Sequence, residues 1–259
     1  MWKRLLPGAG SLLRQLRGTE WSQLADYVSP AFFEVLPARA LLGQVRELVG
    51  SARDRRGFAA AVGEVGAALA ARDVPLEVRA EWPAGARALA PDAEPARRAL
   101  GQRVLEAYFA QLAGADRALL DLRAARFAEP DQGPPRWAPS PFWVAWDPAF
   151  LAALRDLYAG YYREDPARFD DALARLALTP ARDVFLEHFG PGDQRAVRFE
   201  ARHFHASFHE AFVRCRDAGT SLHPNFLPLG VMLASVCDHL ETLGLAFDVR
   251  GAWEQVAGS

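Results

Sequence analysis

Residues 200–219 read EARHFHASFHEAFVRCRDAG, and this stretch decides the fold. Phe204, Phe208, Ala211, Phe212 and Cys215 recur at helical spacing, giving one apolar stripe on a long helix expected over 193–217. Gly219 supplies the stop, since glycine readily takes the left-handed conformation that ends helices. A half-buried strand would instead alternate with a period of two.

The same reasoning extends in both directions. Residues 225–243 form a second long apolar helix ended by Gly244. Residues 148–163 place Phe150, Leu151, Leu154, Leu157, Tyr158 and Tyr161 on one face. Asp165-Pro166 and Thr179-Pro180 each combine a capping side chain with a proline suited to the first turn, so each opens a helix. Residues 96–113 predict an amphipathic helix through Leu100, Val104, Leu105, Tyr108, Phe109 and Leu112. Shorter helices are expected over 21–36 and 39–53, separated by Pro37, and over 56–72, weakened by Gly63 and Gly66. Two segments break the pattern. Val74 to Trp82 alternates as a strand, and Pro75 assigns it to an edge. Five prolines keep 129–141 out of a helix, and the apolar run Phe142–Trp146 that follows suits a buried strand. The expectation is a mainly α protein, a helical bundle with at most a small β element. The Pro-rich connection from Pro83 to Pro95 divides an N-terminal helical region, 1–90, from a helical domain, 91–259.

Composition narrows the function. The 259 residues carry 30 basic and 32 acidic side chains, a net charge of −2, which gives no general drive toward nucleic acid. Lys3 is the only lysine and Asn225 the only asparagine, a bias that GC-rich coding explains without any function. Neither a Gly-x-Gly-x-x-Gly nor a Gly-x-x-x-x-Gly-Lys sequence is present, and Lys3 lies too early to read phosphates in a folded domain. No Gly-x-Ser-x-Gly elbow occurs. Cys215 and Cys237 lie in apolar helical surroundings, where buried free thiols in a reducing compartment are expected, and the protein reads as cytoplasmic. Residues 2–17 set Trp2, Leu5, Leu6, Leu12, Leu13 and Leu16 against Lys3, Arg4, Arg14 and Arg17. That segment docks on its own domain or, as a second reading, lies on a membrane surface as a peripheral contact.

Six histidines, His188, His203, His205, His209, His223 and His239, fall in the last third of the chain. Glu200 and His203 have the Glu-x-x-His spacing of helical di-iron sites, but such sites need a second copy of the motif. His205, His209 and Glu210 miss His-Glu-x-x-His because the glutamate lies outside the pair. The commoner reading is a set of surface imidazoles. The alternative is a helical metalloenzyme with iron or zinc held by Glu200, His203, His209 and either His239 or Glu241.

The order of segments from 99 to 250 resembles the C-terminal lobe of the ABC1/AarF/UbiB family of atypical protein-kinase-like proteins. Leu222-His223-Pro224-Asn225-Phe226-Leu227-Pro228-Leu229 and Leu245-Ala246-Phe247-Asp248 are similar to the family's closing helix pair. Asp147 to Pro180 is similar to the helices after its metal-binding loop. The resemblance implies a kinase-like catalytic loop at Asp121-Leu122-Arg123-Ala124-Ala125-Arg126, with Arg123 in place of the family's His and Arg126 in place of its metal-holding Asn. It further implies that Asp147 stands for the second metal-binding Asp, followed by Pro148 where a glycine turn belongs. Leu41-Leu42-Gly43-Gln44 echoes the family's Lys-x-Gly-Gln motif with the lysine lost, and the residues between Gln44 and Gln102 are too few for a nucleotide-binding lobe. Phosphoryl transfer depends on cations that position and neutralise phosphate, so this degenerate site implies a non-catalytic relative. The reading that follows is a pseudokinase-type binding or accessory protein without a cofactor. Its partner is a protein or a small lipophilic molecule, in the setting of isoprenoid quinone or lipid metabolism. A scaffold subunit of a larger complex is the third reading.

Overall fold

The computed structural model describes residues 35–36, 38–129, 132–189 and 196–258. The amphipathic segment 2–17 and nearly all of the helix expected over 21–36 lie outside the described residues.

The fold is mainly helical. Helices α1 (Ala38–Ser51) and α2 (Arg55–Ala70) lead to α3 (Glu94–Gly114), the central element. Its neighbours are α2, α4 (Pro148–Tyr162), α8 (Phe226–Leu243) and α9 (Val249–Ala257). Every residue from Ala107 to Leu112 is buried, so this stretch of α3 is enclosed on all sides. The expected amphipathic pattern therefore holds only for its first turns. Side chains from Val35 to Val256 join in one continuous apolar core.

Short-range signals set the helix ends. Asp147 caps α4 by accepting from Ala149 N (3.0 Å) and Phe150 N (2.9 Å). Asp165 caps α5 (Pro166–Arg175) through Arg168 N (3.0 Å), with Pro166 in the first turn. After a 3₁₀ turn at Thr179–Ala181 comes α6 (Arg182–Phe189). Helix α7 (Ala201–Asp217) is followed by Gly219 at φ 68°, and α8 ends at Gly244 with φ 69°. By length and composition α8 qualifies as a membrane span, yet 67% of it is buried inside the protein.

Strands are shorter and more numerous than expected. β1 (Glu77–Val78) is the edge of a three-stranded sheet, in the order β1, β4 (Arg136–Trp137), β3 (Phe127–Ala128). β1 runs parallel to β4, and β4 antiparallel to β3. β4 lies inside the five-proline segment 129–141, where sequence offered only a loop. β2 (Arg117–Leu119) pairs antiparallel with β5 (Trp143–Ala145). β5 was expected to be buried, but Trp143 is half-buried and Ala145 exposed. β6 (Ala196–Arg198) pairs antiparallel with β7 (Ala246–Asp248). The helix expected from 193 thus begins only at Ala201. Backbone groups of Ala196–Arg198 find partners on a segment some 50 residues downstream, and that tertiary pairing overrides local periodicity.

Gly160 marks the closest approach of α4 to α5. A Cβ there would lie 2.5 Å from Phe169 N and 2.8 Å from Phe169 Cα. Helix propensity alone would make Gly160→Ala stabilising by about 1 kcal/mol. Backbone collision reverses the sign, and a loss of about 1–3 kcal/mol is expected, read as a lower urea midpoint. A midpoint that rises would contradict the close α4–α5 contact.

Candidate functional site

Asp121 is fully buried between β2 and the 3₁₀ turn Ala124–Arg126. Its Oδ1 accepts from Arg123 Nε (2.8 Å) and Arg123 N (3.4 Å). Its Oδ2 accepts from Arg123 Nη2 (2.9 Å), Arg126 Nε (3.0 Å) and Ser140 Oγ (2.5 Å). Its backbone carbonyl accepts from Trp137 Nε1 (2.8 Å). A carboxylate offers about four lone-pair sites, and these donors occupy them. The two arginines that stand where the resemblance expects His and Asn both bind the carboxylate itself. Asp121 is therefore placed as an internal anchor, with both oxygens committed.

Asp147 is committed as well, as the cap of α4. Its own N–H donates to Asn225 Oδ1 (3.0 Å), so the sole asparagine, itself buried, ties the start of α4 to that of α8. His223 Nδ1 accepts from Asn225 N (3.2 Å), and its ring stacks on Phe150 at 5.1 Å. The motif Leu222–Leu229 thus works as a joint between two helices.

The histidines fall into separate surroundings. Glu200 pairs with Arg202 at 2.7 Å and approaches His203 Nδ1 at 3.7 Å; the His203 side chain is 70% exposed. His205 and His209 stack with ring centroids 6.2 Å apart and planes 7° from parallel. His239 is fully buried beside Phe127, its Nδ1 2.8 Å from Leu122 O. Glu241 is exposed on the last turns of α8. The side chain of His188 lies outside the described residues. Among the described residues no group of three His, Cys, Asp or Glu is arranged to hold a metal ion. Of the alternative ligand set, Glu200 and His203 come together, while His239 sits in the core.

The most distinctive feature is a partly open cavity of about 280 Å³ lined mainly by α3, α4, α7 and α8. Tyr108, Phe109 and Tyr158 form one wall; Phe204, Phe208 and Leu233 form another. Phe204, Ala234 and Cys237 make a small apolar cluster separate from the main core. The stripe of α7 is divided: Phe204, Phe208 and Phe212 line this chamber, while Ala211, Phe212 and Cys215 join the main core. Tyr108 and Tyr158 share a buried hydroxyl–hydroxyl hydrogen bond of 2.6 Å. Burial pushes the Tyr158 phenol up to about 12, and raises Tyr108 and Tyr162 well above the ordinary phenol value. Burial raises the Cys237 thiol too, which keeps it protonated and unreactive. The groups lining the interior are neutral. At the mouth lie Arg198 and Glu200, from β6 and the start of α7, with His203 and Arg250.

Sequence reasoning placed Phe204, Phe208 and Phe212 on a core-facing stripe, and they are packed in the interior; the cavity beside them is what it did not show. The only available signal was an unusual density of aromatics on facing helices, and close packing of the same rings would look identical. Comparison with protein-family models and with curated proteins finds no match.

Proposed function

We propose that this chain is a non-catalytic binding protein of the accessory type, holding a small lipophilic molecule in the chamber between α3, α4, α7 and α8. The chamber itself carries this reading. Protein interiors are close-packed, and voids larger than a water molecule are few. A cavity of about 280 Å³ with an aromatic lining is well beyond a packing defect, and it approaches the size of small-molecule sites. Five donors hold Asp121 and two backbone amides hold Asp147, which supports a binding role over phosphoryl transfer. The resemblance to UbiB-type kinase-like proteins adds a setting in isoprenoid quinone or lipid metabolism, with a pseudokinase-type part to play.

Native mass spectrometry of chain purified without detergent tests the proposal. The expected result is a bound apolar species released by organic solvent. Calorimetric titration with ATP and Mg²⁺ is expected to give no binding. Micromolar ATP affinity that disappears in Asp121→Asn would overturn the non-catalytic reading. Stoichiometric iron or zinc lost in His203→Ala would favour the metalloenzyme instead, for which the Glu200–His203 approach is the supporting contact.

A further inference from the structure

We infer that the chamber selects uncharged lipophiles and discriminates against anionic amphiphiles such as fatty acids. This rests on the proposed reading of the chamber as a ligand site and adds the chemical class of what it takes. The argument is one of charge complementarity at the mouth.

Arg202, His203 and Arg250 already face carboxylates. Arg202 holds Glu200 at 2.7 Å, and His203 Nδ1 stands 3.7 Å from the same oxygen. The hydrogen bond from Arg202 is the main cause that lowers the Glu200 pKa, with smaller electrostatic contributions from His203 and Arg198. Arg250 donates to Tyr162 O (2.8 Å), to Glu164 (3.1 Å) and to Glu254 (2.9 Å). Glu241 adds a further carboxylate in the shallow groove that shares Arg198, Phe199 and Glu200 with the mouth. An incoming carboxylate would meet Glu200 and would have to take Arg202 from it.

The interior gives an anion no better welcome. Its phenols and its thiol stay protonated, and an ion moved into such surroundings without a partner is strongly disfavoured. Apolar surface, by contrast, gains from entering, and the lining offers ring faces and edges to another ring. Phe109 meets Tyr158 and Tyr162 edge-on at centroid distances of 5.3 and 6.1 Å, and Phe204 lies 4.4 Å from Phe208. A neutral, ring-bearing lipophile matches both the shape and the electrostatics.

Gly230 provides the means of closing the site. It lines the chamber from α8, and a Cβ built there meets no atom within 4 Å. Gly230→Phe therefore fills space that is open, without colliding at its base.

The test titrates the delipidated full chain with two fluorescent probes, neutral 1-aminoanthracene and anionic parinaric acid, near neutral pH. The neutral probe is expected to bind saturably and at least tenfold more tightly than the acid. Gly230→Phe, with an unchanged circular dichroism spectrum, should weaken the neutral probe tenfold or more. Glu200→Gln frees the cations of the mouth and should improve binding of the acid severalfold. Acid binding as tight as the neutral probe, or unaffected by Glu200→Gln, overturns the selectivity while leaving the chamber a ligand site. Failure of both probes to bind, or neutral binding untouched by Gly230→Phe, overturns the chamber reading itself.

Discussion

Asp121→Ala is expected to destabilise the protein by about 3–5 kcal/mol, the cost of removing one partner from a buried ion pair. The Arg123 side chain is only 8% exposed and that of Arg126 only 22%. Without the carboxylate, both guanidinium groups remain held in low dielectric with their strongest acceptor gone, and Ser140 Oγ loses its short hydrogen bond. Urea denaturation of wild type and variant measures the effect. Truncating both partners, as in Asp121→Leu with Arg123→Met, should recover much of the loss, because apolar replacement of a whole buried pair is often neutral. An active-site aspartate behaves differently, since sites built for chemistry tend to sacrifice stability and their removal is commonly tolerated. An Asp121→Ala variant as stable as wild type would show that the anchor contributes little.

Acidification should weaken the fold between pH 6.5 and about 4 through His239. Burial lowers this imidazole from its usual 6.5 to about 4, and the Leu122 carbonyl at 2.8 Å offsets that only in part. The carbonyl can only accept, so Nδ1 carries the hydrogen and Nε2 keeps its lone pair. Among the described residues Nε2 has no hydrogen-bond partner, so a proton added there finds no acceptor. Above pH 6.5 both folded and unfolded chains hold a neutral imidazole, and stability is complete. As pH falls below 6.5 the unfolded chain takes up a proton that the folded chain refuses until about 4. The difference amounts to about 3 kcal/mol at about 1.4 kcal/mol per pKa unit. Glu64 and Asp156 do not confuse the window. Burial alone would raise both, but hydrogen bonds from Arg117 to Glu64, and from Arg175 and Arg168 to Asp156, hold them below 4.5 and 3.8. Their contribution is lost only at lower pH. Midpoints measured from pH 7 to 4.5 should fall in wild type and stay nearly level in His239→Gln. A level wild-type profile would mean that His239 takes up its proton without cost.

Much of the helical skeleton was legible because its determinants are local. Asp165 and Pro166 start a helix within four residues, and Gly219 and Gly244 follow helix ends because they tolerate positive φ. The short strands were not legible. Arg136–Trp137 is two residues long and surrounded by prolines, and Ala196–Arg198 reads as helix until Ala246–Asp248 comes alongside. The candidate aspartates were partly legible. Arg123 and Arg126 were read as replacements that degrade a kinase-like loop, while their bond to Asp121 needed Ser140 and Trp137 to close the pocket around it.

The sequence by itself determined a mainly α chain, the starts and stops of its principal helices, and a near-neutral charge with a single lysine. Only the tertiary structure decided that residues 107–112 of α3 are enclosed on all sides, that Asp121 is an anchor, and that Phe204 and Phe208 of α7 border open space. The physical reason is range. Caps and periodicity act over one or two turns, whereas a cavity is set by the spacing between helices, which no single segment encodes.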